Sequence, residues 1–160
     1  MNLTHAPLRA ATGAFILNSG LGKLSADEET AAQLHGFAST AYPAVQGMKP
    51  TTFVKALAYG EIALGGALLL PKVPSAVAGT ALAAFGGSML GLYLQAPGLR
   101  QPGSLKPTEA GTPIAKDVWL LGAGTTLALQ GIFNGTRRAA KKAAKKVGSA
   151  TESAHDALPI

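Results

Sequence analysis

Residues 73–96 constrain the fold of this chain most, because these 24 positions carry no charged side chain. At about 1.5 Å per residue, a helix of this length is about 36 Å long and exceeds the ~30 Å hydrocarbon core of a bilayer. Only 14% of the whole chain is charged, against roughly 25% in soluble domains. The sequence therefore predicts a membrane-spanning helix of about residues 74–96, with Pro74 in its first turn.

Two further apolar segments have the length of a span. Residues 52–70 contain one acidic side chain, that of Glu61. Residues 117–134 are uncharged after Asp117, which marks the water side, and they include Trp119. Tryptophan is enriched at membrane interfaces. Both segments are therefore predicted to be transmembrane helices.

The first apolar segment, residues 6–22, is the shortest. Its uncharged part covers only residues 10–22, so a full crossing requires Arg9 to extend its guanidinium to the interface. A signal peptide is the competing interpretation, since a basic residue precedes an apolar core. No small-x-small cleavage site follows, and a membrane helix is favoured.

Together these segments predict an all-α integral membrane bundle of four transmembrane helices, or of three if the first segment does not cross. The bundle would occupy residues 1–135, and residues 136–160 would form a basic cytoplasmic tail. A proline- and glycine-rich stretch at residues 97–115 predicts an irregular loop before the last span.

The long connection after the first span predicts a helix of its own. The sequence Ser25-Ala26-Asp27-Glu28 has the form of a capping box, and the helix is expected to continue to about Thr40. Leu34, Phe37 and Ala41 recur at helical spacing, which favours a helix lying along the membrane surface.

Most of the net charge of +6 lies in one run near the end of the chain. Eight basic and eight acidic residues remain outside the run, which contains six of the 14 basic residues: Arg137, Arg138, Lys141, Lys142, Lys145 and Lys146. Such a cluster beside a span is typical of anionic-lipid binding. Binding to an acidic partner, or enforcement of topology alone, stays open. No aromatic residues interleave with the run, and nucleic-acid binding is therefore disfavoured.

The distribution of lysine and arginine predicts the orientation. With four spans both termini share one side, which carries eight basic residues against six on the other. By the positive-inside rule both termini are expected to be cytoplasmic, in a multi-pass protein of a bacterial inner membrane.

Glu61 is the candidate site residue, because a carboxylate inside hydrocarbon costs about 3 kcal/mol on insertion scales. We expect a buried polar pair of Arg9 and Glu61. Lys55 is the other basic residue nearby, but at six positions before Glu61 it lies on a different helix face. The pair would either stabilise helix packing or form a proton or ligand site.

Small residues recur every four positions in the third span, at Gly79, Ala83, Gly87 and Gly91. This stripe predicts close helix packing, inside the bundle or against a partner subunit.

The sequence contains no recognisable cofactor or metal site and no catalytic group. It has no cysteine, and its histidines lie outside the predicted spans, where they could not ligate a membrane haem. Neither a phosphate-binding loop nor a nucleophile–base pattern is present. The prediction is therefore a protein that is not an enzyme and binds neither a cofactor nor a metal.

Three short motifs, in a fixed order, carry a family resemblance. They are Arg9-x3-Gly13-x6-Gly20-x2-Lys23, Tyr59-Gly60-Glu61-Ile62-Ala63-Leu64-Gly65-Gly66, and Ile114-Ala115-Lys116-Asp117-Val118-Trp119-Leu120-Leu121-Gly122. Over about residues 8–133 they resemble the DoxX-like family of small four-helix membrane proteins. The chain departs from that family in its longer first loop, its proline-rich loop and its basic tail.

The resemblance implies a role in membrane redox systems, as a subunit that accompanies quinol oxidases or thiosulfate–quinone reductases, or in complexes that handle oxidative stress. It therefore predicts a non-catalytic accessory or assembly subunit of a larger respiratory or redox membrane complex. One alternative is a small transporter or quinone-interacting protein that uses Glu61 as a proton site. Another is a membrane tether that recruits a soluble partner through its basic tail. The alanine- and glycine-rich composition is typical of a high-GC actinobacterium.

Overall fold

The computed structural model describes the backbone of residues 3–156 and the side chains of residues 4–145. Within this part the chain consists of helices and loops, without a β-sheet. The α-helices are α1 (Ala6–Leu24), α2 (Glu28–Ala41), α3 (Pro50–Leu69), α4 (Ser75–Gln95), α5 (Thr112–Ala115) and α6 (Val118–Asp156). The all-α prediction is confirmed for the described residues.

Prolines and apolar runs set the boundaries of the long helices. Pro50 occupies the first turn of α3, where its missing N–H costs nothing. The connection Pro71-Lys72-Val73-Pro74 then separates α3 from α4. By length and composition, both α3 and α4 are long and apolar enough to cross a membrane.

The long helices form two tightly packed pairs, α1 with α3 and α4 with α6, whereas α3 and α4 contact each other much less. Glycines permit both close approaches. A side chain at Gly65 of α3 would collide with the backbone of Leu17 in α1. A side chain at Gly124 of α6 would collide with the backbone of Ala83 in α4. Both pairs therefore use the small-residue packing that membrane helices favour.

The predicted small-residue stripe only partly follows this interface. Gly79 and Ala83 face α6, and the next close contact is made by Gly86, whose Cβ would meet the backbone of Leu121. An added Cβ at Gly87 would make only an ordinary van der Waals contact with α6. Gly91 does not face α6 but lies beside the hydroxyl of Tyr42, in the loop after α2. A strict four-residue spacing drifts by about 40° per step around a helix, and it therefore leaves the packed face.

The helix predicted in the first loop is α2, but its N-cap differs from the expectation. Asp27, not Ser25, is the N-cap, and its carboxylate accepts a hydrogen bond from the backbone N–H of Thr30 at 2.8 Å. Its apolar face packs against α3 and α4. The Tyr42 hydroxyl at its end donates to the Ser88 carbonyl of α4 at 2.5 Å.

The last helix continues without a break through the boundary predicted between bundle and tail. Side chains 135–145 of α6 are all exposed, and they include five of the six predicted basic residues. The side chain of Lys146 and residues 157–160 lie outside the described part of the chain. The loop predicted at residues 97–115 is irregular up to the short helix α5.

Candidate functional site

A cavity of about 520 Å³ lies between the two helix pairs and is covered by α2. Its size is within the range of small-molecule sites, which are mostly apolar with a few convergent polar groups. The walls are dominated by apolar and aromatic side chains: Phe15, Ile16, Leu34, Phe37, Phe53, Leu57, Phe85, Met89, Leu92, Ile114 and Leu120.

Three charged residues line this cavity, Lys23, Glu61 and Asp117, which we call the charged cluster. The Lys23 ammonium donates to Glu61 Oε2 at 2.8 Å and to Ser19 Oγ at 2.7 Å. The Glu61 side chain is only 4% exposed. Among the described residues, Lys23 is the hydrogen-bond donor to this carboxylate. The other oxygen, Oε1, therefore keeps acceptor capacity for a molecule in the cavity.

The approach of α1 to α3 explains how Lys23 reaches Glu61. Gly20 of α1 lies directly against α3, where an added Cβ would come within 2.9 Å of the Glu61 Cβ. Lys23 follows three residues later and therefore lies on the same helix face. On α3, Glu61 shares its buried face with Ala58 and Gly65. Glycine spacing on α1 thus positions the cation, and helical periodicity on α3 directs the carboxylate inward.

Asp117 enters the cavity from the turn between α5 and α6. Its backbone N–H donates to the Ile114 carbonyl at 3.0 Å, and it precedes the first residue of α6. Burial raises the pKa of the Asp117 carboxyl, the charge of Glu61 raises it further, and Lys23 opposes the shift. With all three groups ionised, the charged cluster carries a net charge of −1.

The predicted pair of Arg9 and Glu61 does not form, and Lys23 takes the place of Arg9. Arg9 is buried near the other end of α1 and donates five hydrogen bonds, as many as a guanidinium has N–H groups. Nε donates to the Leu68 carbonyl, and Nη2 donates to those of Ala67 and Leu70, all at the end of α3. Nη1 donates to the Val73 carbonyl in the connection and to Ser75 Oγ at the start of α4. The five distances are 2.8–3.1 Å.

A physical preference explains this placement of Arg9. The last carbonyls of a helix have no partner within the helix and carry partial negative charge. A guanidinium can satisfy several of them together, whereas a lysine can donate only from a single nitrogen. Arg9 therefore caps α3, and Glu61, more than a turn before the end of α3, pairs with the lysine opposite.

Sequence reasoning did not assign Lys23 and Asp117 to a site, although both stood in the motifs that carry the family resemblance. Each of the three motifs contributes one member of the charged cluster. Their place in the same set of motifs as Glu61 was the signal that could have identified them. In the described part of the chain no three His, Cys, Asp or Glu side chains come together as a metal site would require.

Comparison with protein-family models, with curated proteins and with solved structures yields no match. The described residues define a class: an all-helical fold with two helices long and apolar enough to cross a membrane, and a ligand-sized cavity lined by three charged groups.

Proposed function

We propose that this chain is a multi-pass membrane protein that binds a small lipophilic molecule next to the charged cluster. The observation that carries the proposal is the apolar cavity of about 520 Å³ in which Lys23, Glu61 and Asp117 converge. Charged residues within a membrane bundle are costly and usually face a site or a cavity. An apolar pocket with convergent charged groups is the expected form of a binding site.

The proposed membrane arrangement has four spans: α1, α3, α4 and residues 118–133 of α6. Both termini would then be cytoplasmic, in a bacterial inner membrane. The outward faces of these helices support the proposal, because large apolar side chains there would contact acyl chains. Exposed examples are Leu21, Tyr59, Leu69, Val77, Leu129, Ile132 and Phe133.

Membership of the DoxX-like family remains part of this proposal. It is supported by the meeting of the three motifs, since Lys23, Glu61 and Asp117 come from one motif each and line one cavity.

A second candidate function is an accessory or assembly subunit of a larger respiratory or redox membrane complex. The basic part of α6 favours it, because Arg137, Arg138, Lys141, Lys142 and Lys145 are all exposed beyond the bundle. These side chains could bind anionic lipids at the cytoplasmic face or an acidic surface of a partner. Purification in mild detergent tests this function. Haem absorption and other subunits in fixed stoichiometry would support it, and a colourless, solitary protein would contradict it.

The binding proposal is tested with N-phenyl-1-naphthylamine, a neutral apolar dye that accepts energy from tryptophan. Trp119 is the one tryptophan of the chain, and its ring lies 5.8 Å from that of Phe15, a cavity residue. Saturable energy transfer from Trp119 to the dye is expected for the wild-type protein.

A matched pair of variants distinguishes the cavity from the detergent background. Ser88 lines the cavity, and its hydroxyl bonds only back to its own helix, at Phe85 O. Ser88→Phe should fill the cavity and abolish the saturable signal. Thr125→Phe is the control, because Thr125 is exposed and likewise bonds back to its own helix. Equal signals from the two variants would contradict the proposal.

A further inference from the structure

The charge balance of the cavity points to a chemical class of ligand, and this inference rests on the proposed function. We propose that the cavity takes a monovalent organic cation with an apolar body, with Asp117 as its counter-ion. The proposal is carried by the number and placement of the charged groups that face the cavity and by its aromatic walls.

Four titratable side chains line the cavity: Lys23, Tyr42, Glu61 and Asp117. The Tyr42 hydroxyl is occupied as a donor to the Ser88 carbonyl. Lys23 and Glu61 neutralise each other through their 2.8 Å ion pair. Asp117 is then left as the uncompensated charge of the cavity.

The described residues provide no second cation for Asp117 within the cavity. Its neighbour Lys116 is exposed and is not part of the cavity wall. Asp117 is itself half-buried, and an unpaired carboxylate in such surroundings is costly. A ligand cation would remove that cost, because electrostatic attraction is stronger away from bulk water.

The cavity walls suit a cation with an apolar body. Four phenylalanines, Phe15, Phe37, Phe53 and Phe85, contribute to the lining. Aromatic rings bind apolar groups and also attract cations to their faces. An anion would be repelled by Asp117, and a neutral molecule would leave Asp117 without a partner. A lipophilic cation would make apolar and cation–π contacts with the walls and would also neutralise the Asp117 carboxylate.

The test compares tetraphenylphosphonium with tetraphenylborate, two ions of the same shape and opposite charge. Each ion is titrated against the wild-type protein loaded with N-phenyl-1-naphthylamine, and displacement of the dye is followed by energy transfer from Trp119. Displacement measured on Ser88→Phe is subtracted, because it reports partition into detergent only. We expect tetraphenylphosphonium to displace the dye at a concentration at least about tenfold lower.

A matched pair of variants locates the preference. Asp117→Asn should lose about tenfold in affinity for tetraphenylphosphonium. Asp27→Asn is the control, because it removes the same charge from an exposed position outside the cavity and asparagine caps a helix as well as aspartate does. This variant should bind both ions as the wild-type protein does.

The outcomes separate the two proposals. If the dye binds but tetraphenylborate displaces it as well as tetraphenylphosphonium does, the cation inference is overturned and the proposed function stands. Undiminished tetraphenylphosphonium affinity in a dye-binding Asp117→Asn protein overturns the inference as well. If the dye does not bind to the wild-type protein, the proposed function itself fails. The two-ion comparison uses the unaltered chain, and it remains decisive even if Asp117→Asn does not fold.

Discussion

The two cations of α1 differ in their surroundings, since Arg9 is buried and Lys23 is partly exposed. Arg9 is 2% exposed and uses all five N–H groups on the end of α3 and its connection to α4. Lys23 is 21% exposed, shares its ammonium between Glu61 and Ser19, and borders the cavity. A buried charge is therefore not by itself the mark of a functional site. Arg9 has a structural role, because all of its N–H groups are hydrogen-bonded. Lys23 borders a cavity that also contains the uncompensated carboxylate of Asp117, and this arrangement indicates binding.

The largest effect on stability is expected at Arg9, whose N–H groups are all hydrogen-bonded. Arg9→Ala should lower the free energy of unfolding by more than about 3 kcal/mol, because one buried and several partly buried carbonyls lose their donor, and an unsatisfied buried acceptor costs about 1–3 kcal/mol. Thermal unfolding in detergent, followed by circular dichroism, measures the change. Arg100→Ala is the control, since Arg100 is more exposed and has a single bond, to Leu94 O. Similar losses in the two variants would refute the structural role of Arg9.

A smaller effect is expected from separating the ion pair by steric means. Gly20→Val should push α1 away from α3 next to Glu61 and cost about 1–3 kcal/mol, and it should also weaken binding of N-phenyl-1-naphthylamine. Gly22→Val is the matched control on the same helix, because nothing lies within 4 Å of its added Cβ. A Gly20→Val protein with normal stability and normal dye binding would show that this approach does not build the site.

The contribution of the Lys23–Glu61 ion pair to stability can be measured by a double-mutant cycle. Lys23→Met and Glu61→Gln should each be destabilising, since each removes the 2.8 Å ion pair, and Lys23→Met also leaves the Glu61 carboxylate without a cation. The double variant should lose less than the sum of the two, with a coupling of about 1–3 kcal/mol. Chemical unfolding of the four proteins gives the values. Additive losses would mean that the pair contributes nothing to folding.

Glu61→Gln also separates the two candidate functions. Loss of assembly with other subunits, in a protein that still folds and binds the dye, would favour the accessory-subunit function. Intact assembly with lost transport or turnover would favour a proton or ligand site at Glu61.

The smallest effect, opposite in sign, is expected at Asp117. Its pKa is raised in the folded protein, mainly by burial. The folded state therefore binds more protons than the unfolded state between pH 3.8, the ordinary value, and the folded pKa. Stability consequently falls as the pH rises through that window.

Asp117→Asn should accordingly be slightly more stable than the ligand-free wild-type protein at neutral pH, and the difference should disappear as the pH falls below 3.8. Thermal midpoints measured across this range check the sign. A variant that is less stable at neutral pH would show that Asp117 has a structural partner, in contrast to its proposed role as a counter-ion.

Local features of the sequence were sufficient to predict most of the helices. Proline positions and uncharged runs predicted α3 and α4 to within two residues, because helix boundaries depend on neighbouring residues. The same local rules predicted α2 but assigned its cap to Ser25 in place of Asp27. They also assigned a strict four-residue stripe to α4, whereas contact with α6 selects Gly86 through the 3.6-residue period.

By itself, the sequence determined that this chain is helical, apolar and basic at its end, because these properties depend on composition and short-range order. Only the tertiary structure decided which cation pairs with Glu61, since Lys23 lies 38 positions away in sequence and is brought near by the glycine contacts between α1 and α3. It also decided that Arg9 caps α3, and that Asp117 reaches the same cavity from the turn before α6. All three outcomes depend on which groups, distant in sequence, are brought together when the helices pack.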